Sequence, residues 1–305
     1  MFRENLETSY FFESEGRYLS ESLEKRKEHI TQLKKKYSVY NEILNFYEKV
    51  LEEQEAIELT LNVNPVETSK DLKALQIKEG FPLINKGDFI LDIPSSVILF
   101  ESLCQIGKNA TDKMREDINV IEDAIKDGFL DLAKLLERHY DKTYIDKILE
   151  DIEIDEAVLN FLIHMSIKPF LDANVEKLKD QVDFKNWLRG YCPICGSFPH
   201  MSELKGEGQR FFACSFCGFE WPSERLKCPF CENKDHESLH YFYEEGKEIY
   251  RVDVCDKCKQ YIKTVDSCKL DYEPDLNLED IATIHLDILA SEKGFKRPVP
   301  NLWGT

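Results

Sequence analysis

Eight of the ten cysteines in this chain stand in four Cys-x-x-Cys pairs: Cys192/Cys195, Cys214/Cys217, Cys228/Cys231 and Cys255/Cys258. The turn between two cysteines at this spacing brings both thiolates onto one metal ion, and a second pair from elsewhere in the chain completes a tetrahedral site. Four pairs therefore make two four-thiolate sites with none left over. Eighteen residues separate Cys195 from Cys214 and 23 separate Cys231 from Cys255, each enough for a hairpin, while only 10 lie between Cys217 and Cys228. Tandem pairing, first with second and third with fourth, closes the shorter loops. A cross-braced arrangement, first with third and second with fourth, is the alternative. A module of about 30 residues buries too little apolar surface to fold alone, so metal binding supplies folding free energy.

Cys192-Pro-Ile-Cys-Gly196 and Cys214-Ser-Phe-Cys-Gly218 have the form of a metal knuckle, whose backbone N–H groups turn towards sulfur and whose final glycine permits positive φ. The third and fourth pairs are followed by Glu232 and Lys259 instead, so the second module is expected to have more strained knuckles or a looser site. Closed four-thiolate ligation points to structural metal, and its geometry suits zinc and iron alike. Thiol–disulfide exchange calls for a lone motif in a βαβ context, which is missing here. His236 and His240 lie in the second module, but cysteines already fill its site. Cys104 and Cys268 read as small buried hydrophobes.

Upstream the texture is helical. Leu23, Ile30, Tyr37, Leu44 and Leu51 recur every seven residues, and Leu19, Leu33, Tyr40 and Tyr47 form a second row on the same face. Tyrosines and Arg26 at the seam suit a helical bundle better than a coiled coil. Pro65 closes this segment. Periodicity returns through Ile118, Ile121, Ile125, Leu132 and Leu135, and again through Ile145, Ile148 and Ile152. Asp155 caps a further helix that is expected to break at Pro169. His164 and Met165 on it read as core residues. Beyond Pro274, Asn277 and Asp280 resemble an N-cap and its N3 partner, and Gly294 ends the final helix. The predicted fold is a mainly α N-terminal domain (1–188), a first four-cysteine ribbon (189–226), a second (227–272), and a C-terminal helix and tail (273–305).

The chain carries a formal charge of -18. Residues 191–272 hold 11 Lys and Arg against 14 Asp and Glu, and eight thiolates on two divalent ions leave that region more acidic still. Nucleic acid and anionic membranes are poor partners for such a surface. The N-terminal residues lack the apolar run of a secretory signal, and no stretch is long and apolar enough to span a bilayer. Paired cysteines without a signal are expected in a reducing cytoplasm. No Ser-His-Asp, phosphate-loop or dinucleotide pattern is present, so a binding protein is expected rather than an enzyme.

The wider pattern runs Trp187-x-x-Gly190-x-Cys192-Pro193-x-Cys195-Gly196-Ser197-x-Pro199, then Arg210-x-x-x-Cys214-x-x-Cys217-x-x-Glu220-Trp221 and Arg225-x-Lys227-Cys228-x-x-Cys231. It continues Leu239-x-Tyr241, Arg251-x-Asp253-x-Cys255-x-x-Cys258-x-x-Tyr261-x-Lys263, Asp280-x-Ala282 and Leu286-Asp287. This resembles the formate dehydrogenase accessory protein family, FdhE. The resemblance is dense from about 187 to 290 and rests upstream on Glu79-Gly80-x-Pro82-Leu83 and Lys168-Pro169-Phe170-Leu171. It implies a cytoplasmic assembly factor that binds the immature catalytic subunit of a molybdenum- or tungsten-dependent formate dehydrogenase. It also implies a helical domain followed by two rubredoxin-like modules whose eight cysteines hold zinc or iron. Two readings stand beside it: an iron–thiolate redox protein, and a structural zinc-ribbon adaptor for another oxidoreductase. Arg225, Lys227, Arg251, Asp253, Tyr261 and Lys263, set beside the second module, are the expected partner-binding residues. Their plainer roles are to offset thiolate charge and to pack.

Overall fold

The computed structural model describes residues 23–58, 61, 66, 79–182 and 187–301; Leu19 and Pro65 lie outside them. The two apolar rows build α1 (Leu23–Lys36) and α2 (Asn41–Glu58), separated by a short 3-10 turn at Ser38–Tyr40. Ile30, Leu33, Tyr37, Leu44, Tyr47 and Leu51 are all buried within this chain. Helices α3 (Ile93–Gly107), α4 (Asp112–Lys126), α5 (Leu132–Glu137), α6 (Lys142–Ile152) and α7 (Glu156–Leu178) complete the bundle. Helix α2 packs against α3 and α7. Asp92, Thr111, Asp131, Asp141 and Asp155 each accept an N-terminal backbone N–H of the helix they precede, so part of the chain's acidity serves as helix caps.

Helix α7 does not break at Pro169. It runs on for nine residues, to Leu178, and Pro169 is buried inside it. A proline there cannot donate to the carbonyl four residues back. Gln54 of α2 reaches that orphaned Met165 carbonyl at 2.8 Å and replaces the missing bond.

The cysteine-rich half forms one six-stranded sheet. Its strands are β1 (Pro199–Lys205), β2 (Gln209–Cys214), β3 (Glu220–Ser223), β4 (Leu239–Phe242), β5 (Tyr250–Cys255) and β6 (Gln260–Asp266), in the order β3-β2-β1-β6-β5-β4. Each ribbon supplies three antiparallel strands, and the two join where β1 runs parallel to β6 from Met201↔Lys263 to Leu204↔Asp266. Alternation then divides the side chains. Tyr250, Val252, Val254, Tyr261, Lys263 and Val265 share one face, while Arg251, Asp253, Ile262 and Thr264 share the other.

Helices α8 (Leu276–Ala282) and α9 (Ile284–Glu292) follow the sheet. The cap of α8 is Asp275, which accepts from Asn277 and Leu278 N–H, and not Asn277. Asp280 is drawn into the ion network described below. The helical and cysteine-rich halves share a continuous core. The Leu83 and Ile84 N–H groups donate to the Pro193 and Ile194 carbonyls of the first knuckle at 2.8 and 2.9 Å. Buried Glu279 of α8 gathers His29 of α1 at 2.9 Å, Tyr250 of β5 at 2.6 Å and Tyr272 at 3.1 Å.

Candidate metal centres

The eight paired cysteines gather into two groups, Cys192/Cys195/Cys214/Cys217 and Cys228/Cys231/Cys255/Cys258, with the ligand atoms of each within 4.8 Å of one another. The pairing is tandem; the cross-braced alternative is not adopted. In the first group the sulfurs of Cys192 and Cys217, Cys195 and Cys214, and Cys195 and Cys217 lie 3.6, 3.4 and 3.6 Å apart. In the second, Cys228–Cys258 and Cys231–Cys255 are each 3.7 Å. Metal–sulfur bonds of about 2.3 Å make a tetrahedron with edges of about 3.8 Å, and these spacings fit one. They are far too long for disulfides, and all ten cysteines are free thiols. The chain thus carries two four-cysteine metal sites, and the donor set suits zinc or iron.

The knuckles share one local design. In the first three, the leading cysteine N–H donates to a carbonyl five residues on: Cys192 to Ser197, Cys214 to Phe219 and Cys228 to Asn233, at 2.8, 2.9 and 2.9 Å. In all four, the residue after the second cysteine donates back to the first cysteine's carbonyl and adopts positive φ. Gly196 and Gly218 take φ 75° and 73°; Glu232 and Lys259 take 58° and 56°. The second site therefore keeps the knuckle conformation without glycine and carries the strain. Sulfur is also solvated locally: Phe216 and Cys217 N–H point at Cys214 Sγ at 3.4 Å, and the Asn233 amide points at Cys255 Sγ at 3.6 Å.

Burial separates the centres. All four ligands of the first are buried, whereas Cys231 and Cys258 of the second are partly exposed. The linker ahead of the first ribbon lies on the second site. Lys227 Nζ donates to the Leu188 carbonyl and pairs with Glu232 at 3.2 Å, and the Gly190 N–H meets Glu232 at 3.3 Å. Although burial pushes the Glu232 carboxyl up, the Lys227 hydrogen bond brings it below its ordinary value. A Cβ on Gly190 would stand 1.9 Å from the Pro229 carbonyl oxygen, so this close approach needs glycine.

The six expected partner-binding residues fall in two places. Arg225, Lys227, Arg251 and Asp253, with Arg210, line a cavity of about 230 Å³ beside the second site, closed by Cys228, Phe230, Tyr241 and Ile262 among others. Tyr261 and Lys263 are buried on the opposite face. Tyr261 donates to Asp287 at 2.8 Å, and Lys263 pairs with Asp287 at 2.6 Å and Asp280 at 2.7 Å. Arg297 closes the network at 2.9 Å from Asp280 and 3.1 Å from Asp287. Burial works against the Asp280 carboxylate, yet Arg297 and Lys263 hold its pKa well below the usual range. These two residues brace the sheet against α8 and α9; the strand alternation was the signal that separates them from Arg251 and Asp253. Arg210, to which the residue pattern alone assigned no role, pairs with Asp253 at 3.2 Å.

Of the unpaired cysteines, Cys104 is buried in α3 and desolvation pushes its thiol up to about 12. Cys268, expected to be buried, is exposed in the turn after β6, where its thiol donates to the Gly206 carbonyl at 2.7 Å.

Comparison with known proteins finds matches over the cysteine-rich half. The family model described as "FdhE, central domain" matches residues 191–225, and "FdhE, C-terminal domain" matches 226–303. The "Protein FdhE homolog" of Aquifex aeolicus is 29% identical over 276 residues, covering 89% of this chain and 92% of that one. The chain is similar to FdhE proteins over both ribbons and the C-terminal helices. It carries two zinc-ribbon-like clusters of four cysteines each. "Protein FdhE" of Escherichia coli is 32% identical over 113 residues, 36% of each chain. The crystal structure of the FdhE protein from Pseudomonas aeruginosa shares the fold, with a TM-score of 0.64, 20% identity, and coverage of 93% of this chain and 95% of that one. No helix among the described residues is long and apolar enough to cross a membrane.

Proposed function

We propose that this chain, like the FdhE proteins it resembles, is a cytoplasmic assembly factor that binds the immature catalytic subunit of a molybdenum- or tungsten-dependent formate dehydrogenase and catalyses no reaction of its own. The observation that carries the reading is the tandem family match over both four-cysteine ribbons, which here are fused into a single sheet. Eight cysteines are committed as ligands, so the metals hold a rigid surface in place. Around the second site that surface presents Arg225, Arg251 and the exposed Tyr241, the kind of charged and aromatic groups that dominate binding energy. An acidic chain of this charge has protein rather than nucleic acid or lipid as its partner.

The test is co-purification. Metal-loaded protein is expected to retain the catalytic subunit expressed without its cofactor, and to lose it on Arg251→Glu at unchanged metal content. Failure to retain the subunit in any state overturns the reading. An iron–thiolate redox role is the second reading, favoured by the partial exposure of Cys231 and Cys258, which opens the second centre to an electron-transfer partner. Natively expressed protein that is red and bleaches on reduction supports it; colourless zinc protein contradicts it.

A further inference from the structure

The cavity beside the second metal site gathers four cations around Asp253 and the ligands Cys228 and Cys255, in a chain of charge -18. Four of its side chains are cationic: Arg210, Arg225, Lys227 and Arg251. Two of them are fully engaged within the molecule. Lys227 is held by Glu232 and the Leu188 carbonyl, and Arg210 by Asp253, Ser202 and the Lys227 carbonyl. The other two have unused capacity. Arg225 is exposed, lies beside Gly208 and forms no ion pair among the described residues. Arg251 approaches Asp253 through Nε at 3.1 Å and lies over the Tyr241 ring at 4.8 Å. That Asp253 carboxylate already serves Arg210 and Thr264. Five guanidinium N–H donors per arginine leave most of the Arg225 and Arg251 forks unmatched.

Two features describe what would match them. The rim is apolar, with Leu226 and Tyr241 60% and 57% exposed and Phe230 stacked edge-on against Phe198. Leu239, His240 and Tyr241 of β4 also line the cavity, and β4 is the terminal strand of the sheet, with no strand on its outer side among the described residues. An extended peptide can pair along such an edge while its alternate side chains enter the adjoining pocket. Bidentate carboxylate–guanidinium contacts then provide the charge match.

We propose that this cavity and the β4 edge form a docking site for an extended acidic peptide, whose Asp or Glu carboxylates are clamped by Arg225 and Arg251 and whose apolar residues lie on Leu226 and Tyr241. The inference deepens the reading above by naming the chemistry of the captured client segment, and rests on it only for the client's identity.

The test needs no client. The whole, metal-loaded protein is panned against a random-peptide display library, and the enriched sequences are synthesised with a fluorophore for anisotropy. Enrichment of Asp and Glu interspersed with apolar residues is expected. Arg225→Glu, which removes no intramolecular pair, should weaken the selected peptides about tenfold or more. Lys147→Glu, on an exposed position of α6, makes the same change in net charge and should leave binding unchanged. The proposal is overturned if nothing is enriched, if the enriched peptides are not acidic, if Arg225→Glu binds them as wild type does, or if Lys147→Glu weakens them equally. A negative panning result with intact co-purification of the formate dehydrogenase subunit removes this site and leaves the assembly role standing. The reverse outcome removes the client and leaves the site.

Discussion

Four residues carry the knuckle geometry, and they do so unequally. A left-handed conformation costs a non-glycine residue about 1–2 kcal/mol, which Glu232 and Lys259 bear and Gly196 and Gly218 do not. Lys259→Gly should therefore stabilise the second ribbon, by under about 1 kcal/mol once the greater unfolded-state freedom of glycine is subtracted. Gly196→Ala should destabilise the first by about 1–2 kcal/mol, since its new Cβ also meets Pro82 at 3.2 Å. Urea unfolding of the metal-loaded variants checks both signs. The cysteine spacing made the ligands legible in the sequence, because two thiolates three apart have few alternatives. The missing glycines also made strain in the second site legible, as one of two outcomes, and the positive φ of Glu232 and Lys259 selects it. The sequence shows which residue stands there, while metal closure decides the φ it must adopt.

At the scale of elements, the least readable feature was α7. Proline ends most helices, and the compensating group here sits 111 residues away in sequence on α2. Gln54→Leu should cost about 1–3 kcal/mol by leaving the buried Met165 carbonyl unsatisfied. In a Pro169→Ala background, where the alanine N–H restores the helical bond, that cost should largely vanish; a double-mutant cycle by denaturant titration measures it. A cost that is equal in both backgrounds contradicts this account of the helix. The strands were easier to place than to assemble. Alternating β-prone runs mark β2 and β4, but the parallel β1–β6 junction links residues about 60 positions apart through backbone bonds that no side-chain pattern specifies.

Across the molecule, the two metal modules, the linker at Gly190 and the C-terminal helices act on one another. The network of Lys263, Asp280, Asp287 and Arg297 is buried between the sheet and α8–α9. Lys263→Met should destabilise the protein by about 3–5 kcal/mol, because removing one cation strands two buried carboxylates on Arg297 alone. Thermal unfolding of the metal-loaded form reads the loss. Exposure ranks the two centres: chelator titration should empty Cys228/Cys231/Cys255/Cys258 before the buried first site, with two metals released per chain. Simultaneous release, or earlier release from the first site, contradicts that ranking. The role proposed for this fused double-ribbon surface is formate dehydrogenase assembly. The most direct measurement is formate dehydrogenase activity in a strain whose copy of this gene is deleted. Activity should fall, return with the wild-type gene, and stay low with Arg251→Glu despite full metal content. Normal activity in the deletion strain would contradict the claim.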